Sequence, residues 1–295
     1  MTHKAKKAGK VLLWAAVVLV ALVLLWLFLQ YVIPHFHKPF RPDYGRIDLS
    51  SILAQDTLDQ GDYQVLYTQT GLGKVAIDDL RAQGQAGVDQ ILATQAAFFE
   101  PPGEGSCSPL GITTREHRFW DEDGHMLLAA PLAPLKEGDI ILSFSTHTAG
   151  WTHGHAGLVI DPERGTTLES VVLGSPSGRM GVDHWRSYTT MMVIRPKADD
   201  ATRHRVVELA EEYLDDIPYS LLSGVFGDKF QPLDGPHNAQ CGYLPWYAWM
   251  AVGIDLDGDG GRVVAPPDLA MSDRVEIVQI YGIDPAQYPL GFEGE

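Results

Sequence analysis

Two residues that lie far apart in the sequence have the side chains for nucleophilic catalysis through a thiolate. Cys241, one of only two cysteines, lies directly before an aromatic run with the length of a helix. His155 is the first residue of an apolar run with the length of a strand. A thiol is an effective nucleophile when it is ionised, and a neighbouring imidazole can take up its proton. The pair predicts thiol chemistry if the fold brings the two side chains together.

A carboxylate, Glu169, follows His155 across a predicted β-hairpin whose turn is Asp161–Gly165. If the hairpin is centred on Pro162 or Glu163, Glu169 lies opposite His155 or one diagonal step away, on the same face. A centre between those two residues would turn Glu169 to the other face. A carboxylate within reach of an imidazole fixes its tautomer and stabilises its charged form. The sequence leaves both registers open, and it also leaves open that His155 only caps the edge of a strand.

The context of Cys241 favours a reactive thiol without excluding other roles. At the start of a helix, unpaired backbone N–H groups and the positive end of the helix dipole favour a thiolate and can hold a developing oxyanion. Pro245 is tolerated in a first turn, which supports a helix from Cys241 to about Val252. The alternatives are a buried structural cysteine and a disulfide between Cys107 and Cys241.

The elements that must position these residues form an α+β pattern. Short apolar runs predict strands at Asp139–Phe144, His155–Ile160, Thr166–Leu173, Thr190–Ile194 and Arg274–Tyr281. Besides the helix at Cys241, a second one is expected after an N-cap at Asp199–Asp200. Strands that arrive largely as neighbours, with the helices set apart, predict an antiparallel sheet packed on helices.

The chain divides into three parts on this interpretation. Residues 1–34 are a basic tip and an apolar anchor, residues 35–130 are a helical extension that ends in a loop around Glu100–Ser108, and residues 131–295 carry the candidate chemistry. The apolar run from Val11 to Leu29 continues to Ile33 before Pro34, which is long enough to cross a bilayer. The lysines before it predict a cytoplasmic N-terminus and an extracytoplasmic remainder, and we expect retention as an anchor in preference to cleavage as a signal peptide.

Charge excludes one class of partner. Four of the 22 basic residues precede Pro34, which leaves 18 basic and 38 acidic residues and a net charge of −20 in the rest of the chain. Such a surface repels phosphate backbones, so nucleic acid is not an expected partner. The sequence does not predict an oligomeric state.

An ordered set of short motifs resembles one known family. The motifs are Glu137–Leu142, His153–Ile160, Leu168–Ser170, Pro218–Ser220, Gln240–Gly242, Gly253–Leu256, Pro266–Asp268 and Val278–Gly282. They resemble the circularly permuted branch of the NlpC/P60 papain-like hydrolases, the YiiX/YebB-like group, over about half of the chain. In papain-type enzymes the nucleophile precedes its histidine, whereas here the order is reversed. Gly242 departs from the group, which commonly has a serine after the nucleophile.

The resemblance implies a permuted papain-like fold and a role for each matched residue. Cys241 would be the nucleophile, His155 the general base and then acid, and Glu169 the group that orients the imidazole. The resemblance also implies that Tyr219 lines the site and assists the oxyanion, although a packed core tyrosine explains it equally well.

Two further residues belong to the expected site. Gly242 would contribute a backbone amide to the oxyanion hole. His153 is the alternative to His155 as the catalytic histidine. It lies two residues earlier, so on a continuous strand its side chain would be on the same face.

The implied function is that of a membrane-anchored, extracytoplasmic cysteine hydrolase that works through an acyl-enzyme. Its substrate would be an amide in a peptidoglycan stem peptide or an acyl-amide or ester of a lipid. The alternative is a non-catalytic binding or scaffold module on the same fold, with Cys107 and Cys241 bridged.

No metal or cofactor is expected. His147, His153 and His155 lack a partner set at a recognisable zinc spacing. Asp255, Asp257 and Asp259 resemble the opening of an EF-hand loop, but its twelfth position is Pro266 instead of glutamate, so calcium binding there stays open.

Overall fold

The computed structural model describes residues 3–110, 113–231 and 235–291. Its helices are α1 (His3–Leu27), α2 (Ser50–Leu53), α3 (Gln60–Thr70), α4 (Lys74–Arg81), α5 (Gln85–Phe99), α6 (Asp200–Tyr213), α7 (Tyr243–Met250) and α8 (Pro266–Ala270). Its strands are β1 (Gly105–Leu110), β2 (Thr114–Phe119), β3 (Ile140–Ser143), β4 (Thr146–Thr148), β5 (Trp151–Thr152), β6 (His155–Asp161), β7 (Thr166–Glu169), β8 (Gly178–Gly181), β9 (Met191–Pro196) and β10 (Val275–Tyr281). The fold is α+β, as the sequence predicts.

The strands form two antiparallel sheets. The larger has the order β10-β9-β3-β6-β7-β8, and the smaller has the order β1-β2-β4-β5. The sequence predicts β3, β6, β7, β9 and β10 near their observed positions, although β7 ends at Glu169 and not at Leu173. It misses the smaller sheet. Residues 35–130 are therefore not only helical, because β1 begins at Gly105 within the predicted loop and β2 follows it.

The larger sheet is covered on both faces because its strands are apolar at successive positions. Leu158 and Ile194 point to one face, where they form a core with α6 and α7. Their neighbours Val159 and Val193 point to the other face and pack against α3, α4 and α5. The helical extension thus contributes to the same hydrophobic core as the sheet that carries His155.

Local signals explain where the two helices on the first face begin. Asp199 caps α6, and its carboxylate accepts a hydrogen bond from the Thr202 backbone N–H at 2.8 Å. Helix α7 begins at Tyr243 with Gly242 as its N-cap. Cys241 therefore lies one residue before the N-cap, and the helix starts two residues later than predicted.

The N-terminal helix α1 continues through a π-helical turn, Phe28–Val32, and a 3-10 turn, Ile33–Phe36. The segment Lys10–Phe36 is long and apolar enough to cross a membrane, and a signal sequence shares these properties. Its end contacts the smaller sheet, where the Gln30 side chain donates to the Thr113 carbonyl at 2.5 Å and the Arg115 guanidinium lies 4.7 Å from the Tyr31 ring centre.

Candidate active site

The hairpin of β6 and β7 sets the geometry between His155 and Glu169. Gly157 pairs with Glu169, which places Glu169 one diagonal step from His155 on the same face. His155 Nε2 and Glu169 Oε2 are 2.7 Å apart. The structure therefore has the register centred on Glu163.

A β-bulge produces this register. Val159 pairs with Thr167, but Asp161 pairs with Thr166, so Ile160 is the extra residue. If the pairing of Asp161 with Thr166 continued along the strands without the bulge, Glu169 would lie on the other face of the sheet, away from His155.

Glu169 is fully buried and surrounded by donors. Besides His155, the Trp185 indole N–H donates to Glu169 Oε1 at 3.0 Å and the Thr167 hydroxyl donates to the same oxygen at 2.5 Å. His184 Nε2 lies 3.4 Å from Glu169 Oε2. Burial opposes ionisation, but the hydrogen bonds and charges of His155 and His184 outweigh it and hold the pKa of Glu169 well below its usual range. Glu169 is a carboxylate across the working pH range.

Trp185 fixes the imidazole from a second side. The rings of His155 and Trp185 are stacked, with centroids 5.0 Å apart and planes inclined by only 9°. Trp185 belongs to the 3-10 turn Val182–Ser187 that leads into β9. Its indole thus orients both His155, by stacking, and Glu169, by a hydrogen bond.

Gly157 leaves room for this arrangement. A Cβ atom there would lie 2.8 Å from Trp185 Cζ2 and 2.9 Å from Glu169 Cγ, closer than real Cβ contacts. The glycine that follows the His-Ala pair is required by the approach of the indole and the carboxylate.

Cys241, which lies two residues before the start of α7, is close enough to His155 to affect the pKa of its ring. Burial lowers the pKa of His155, but hydrogen bonds and negative charge from Cys241 and Glu169 outweigh it and raise the pKa to about 10. Because Nε2 faces Glu169, the nitrogen left for Cys241 is Nδ1. Cys241 and Glu169 thus both lie close enough to the His155 ring to raise its pKa.

The backbone around Cys241 is arranged differently from the prediction for Gly242. The Gly242 N–H donates to the Gln240 side-chain oxygen at 2.8 Å, so this amide is not free for an oxyanion. Glycine is needed at this position because a Cβ would meet the Val264 carbonyl oxygen at 2.2 Å. The Cys241 N–H, by contrast, has no hydrogen-bond acceptor within the described part of the chain.

Tyr219 lies near Cys241. It forms a parallel bridge with Ala239, two residues before Cys241. Burial and the negative charge of Cys241 raise the pKa of the Tyr219 phenol above its usual range. The phenol therefore keeps its proton and remains a hydrogen-bond donor.

His153 is not placed like His155. Its Nε2 lies 2.8 Å from the Thr148 hydroxyl, and its Nδ1 donates to the Gly154 carbonyl at 2.7 Å. Both nitrogens are engaged in the turn before β6. Gly154 has a positive φ of 79° and interrupts the strand, so the side chains at 153 and 155 do not share a regular strand face.

Cys107 lies in a separate environment. Both cysteines are free thiols. Cys107, on β1 of the smaller sheet, accepts a hydrogen bond at its sulfur from Arg115 Nε at 3.4 Å.

Sequence reasoning missed Trp185, Thr167 and His184. The only signal is the aromatic stretch Val182–Tyr188 between two predicted strands. That composition does not indicate which carboxylate the indole contacts, because the contact depends on long-range pairing.

No protein-family model, no curated protein and no solved structure matches this chain.

Proposed function

We propose that this chain is a membrane-anchored cysteine hydrolase with a permuted papain-like catalytic domain. The observation that supports the proposal best is the His155 imidazole, which lies 2.7 Å from Glu169 and whose pKa is raised to about 10 by Cys241 and Glu169. An orienting carboxylate, an imidazolium and a neighbouring sulfur are the arrangement that a thiolate nucleophile needs.

In the proposed reaction, the Cys241 sulfur attacks the carbonyl carbon of an amide or ester. The Cys241 N–H, which has no acceptor among the described residues, and the Tyr219 hydroxyl would donate hydrogen bonds to the developing oxyanion. His155 Nδ1 then donates its proton to the leaving amine or alcohol, which leaves an acyl-enzyme. His155 next accepts a proton from water, and the hydroxide attacks the thioester carbonyl and releases the acid and the Cys241 thiolate beside the protonated His155. Glu169 remains ionised throughout and keeps Nε2 protonated.

The anchor would hold this site close to the bilayer. His37, at the end of the apolar segment, lies with its ring centre 5.3 Å from that of His147. His155 follows His147 by eight residue steps, and a fully extended chain of that length spans at most about 28 Å. His155 therefore lies within about 35 Å of the end of the apolar segment, a distance at which lipids or envelope peptides near the membrane would be in reach.

The orientation follows from the charges that flank the anchor. Lysines at positions 4, 6, 7 and 10, with no acidic residue among them, favour a cytoplasmic N-terminus. The catalytic part would then lie outside the cytoplasm.

Thiol labelling of the detergent-solubilised chain tests the proposal. We expect one rapidly alkylated cysteine, lost in Cys241→Ala, and a large fall in its rate in His155→Ala. His204→Ala is the matched control, because His204 is exposed on α6 and distant in sequence from the site. Slow alkylation of Cys241 in the native chain, or thiols that react only after reduction, would reject the hydrolase and favour the binding module.

Substrate class requires a separate screen. The full chain should be assayed against muropeptides and against N-acyl and ester lipids, with Cys241→Ala as the blank. Turnover that disappears in the blank assigns the class.

A further inference from the structure

The acidic loop between α7 and α8 forms a cluster that the proposed catalysis does not use. Its sequence from Asp255 is Asp-Leu-Asp-Gly-Asp-Gly, and α8 adds Asp268 in its first turn. One carboxylate oxygen each from Asp257, Asp259 and Asp268 lie within 4.8 Å of one another.

A second observation distinguishes this cluster from an ordinary acidic surface. The Asp257 side chain is only 1 % exposed, and its Oδ2 forms an ion pair with Lys229 Nζ. Its Oδ1 is also buried and has no hydrogen-bond partner among the described residues. A buried, unpartnered carboxylate oxygen is unfavourable unless a donor or a cation satisfies it.

Charge in the cluster is not balanced. Asp257, Asp259 and Asp268 provide three negative charges against the single ammonium of Lys229. Burial, together with the negative charges of Asp259 and Asp257, raises the pKa of Asp268 despite a hydrogen bond from the Ala265 N–H. Asp255 has a different role, because its Oδ1 accepts hydrogen bonds from the Trp246 indole at 2.7 Å and the Asp257 N–H at 3.0 Å.

We infer that this loop is a calcium site in which Asp257 Oδ1 and the carboxylates of Asp259 and Asp268 are ligands. All of these ligand atoms are oxygen, which a hard cation such as Ca²⁺ prefers. Calcium–oxygen distances of about 2.3–2.6 Å allow ligands almost 5 Å apart across the ion, whereas Mg²⁺ requires a smaller and more regular shell. Without a bidentate glutamate at the twelfth position, we expect a Kd of about 0.1–1 mM, the range of extracellular calcium modules.

Calcium would also stabilise the segment that supports the nucleophile. The Gln240 side chain donates to the Val264 carbonyl at 2.5 Å, within the connection that carries the acidic loop. The Gly258 N–H donates to the Asp268 carbonyl at 3.1 Å and closes the loop onto α8. An ion bound by the three aspartates would therefore stabilise both the contact between Gln240 and Val264 and the contact between Gly258 and Asp268.

The test is direct binding of Ca²⁺ to the full chain in detergent after removal of metals with a chelator. Isothermal titration calorimetry should give one site per chain, and thermal unfolding should shift upward with Ca²⁺ more than with equal Mg²⁺. Asp259→Asn should weaken binding by tenfold or more; this exposed ligand can be changed without disturbing the core. Its unfolding temperature without Ca²⁺ should match that of the native chain.

Asp123→Asn is the matched control. Asp123 belongs to a second acidic group, together with Asp121 and His125. In this group Asp121 Oδ1 already accepts hydrogen bonds from the backbone N–H groups of Asp123 and His125. Absence of saturable binding up to about 10 mM Ca²⁺, or equal weakening by both substitutions, would overturn the assignment. Binding is measured on the ion and not on turnover, so Cys241→Ala should bind Ca²⁺ normally whether or not the chain is a hydrolase.

Discussion

Replacing Glu169 with glutamine isolates the carboxylate's contribution to the thiol chemistry. The substitution keeps the size of the side chain and an oxygen that can accept the hydrogen bond of the Trp185 indole. In the native chain the indole nitrogen lies 3.0 Å from Glu169 Oε1. It removes the negative charge 2.7 Å from His155 Nε2. An opposite charge at such a distance typically changes a pKa by about 1–3 units, and each unit corresponds to about 1.4 kcal/mol.

The sign of the effect follows from the raised pKa of His155, which is about 10 in the native chain. A raised imidazole pKa means that the folded site favours the charged ring. Without Glu169 that pKa falls, and the pairing of an imidazolium with a thiolate becomes less favourable by about 1.4–4 kcal/mol. More alkaline conditions are then needed before the Cys241 sulfur reacts as a thiolate.

The assay is the rate of iodoacetamide alkylation against pH in a chain with Cys107→Ser, so that only Cys241 reports. We expect the midpoint of the rate profile in Glu169→Gln to move upward by about 1–3 pH units. Glu163→Gln makes the same chemical change at an exposed position in the turn of the same hairpin and should leave the profile in place. An unchanged profile in folded Glu169→Gln would refute the orienting role of the carboxylate.

Three further outcomes are expected. Gly157→Ala places a methyl group 2.8 Å from Trp185 Cζ2 and should lower the free energy of unfolding by about 1–3 kcal/mol. Urea unfolding measures this change, and an unchanged midpoint would contradict the close packing. Burial, with smaller effects of neighbouring histidines, lowers the pKa of His147 to about 4, so the neutral ring contributes stability that is lost as pH falls below about 6.5. The loss between pH 7.5 and 5.5 is about 1 kcal/mol, and His147→Gln should remove that part of the pH dependence of urea unfolding. Cys107→Ser should leave the fast alkylation of Cys241 intact, and its loss would indicate that the two sulfurs are coupled.

Much of the larger sheet and of the candidate site is predictable because the signals are local. The apolar runs of β3, β6, β9 and β10 have the length and composition of strands, and Asp199 is a recognisable helix cap. The diagonal relation of His155 and Glu169 also follows from the turn, once a register is chosen.

The choice of register is what the sequence cannot make. The extra residue, Ile160, is apolar like its neighbours, so the bulge does not interrupt the run that predicts the strand. The smaller sheet escapes prediction for another reason, since β2 consists largely of polar and charged residues and joins β4 from a distant part of the chain. Pairing of this kind depends on tertiary context more than on local propensity.

The position of the extension changes how the site should be understood. Trp185, which orients both His155 and Glu169, belongs to the core on the face that α3, α4 and α5 cover. Cys241 belongs to the core on the opposite face. His155 is the first residue of β6, and its ring stacks on Trp185. His155 and Glu169 thus contact a residue of one layer, whereas Cys241 belongs to the other. The relative packing of the two layers therefore determines whether the Cys241 sulfur and the His155 imidazole meet. On this argument residues 35–130 are part of the scaffold of the candidate active site and not an appendage to it.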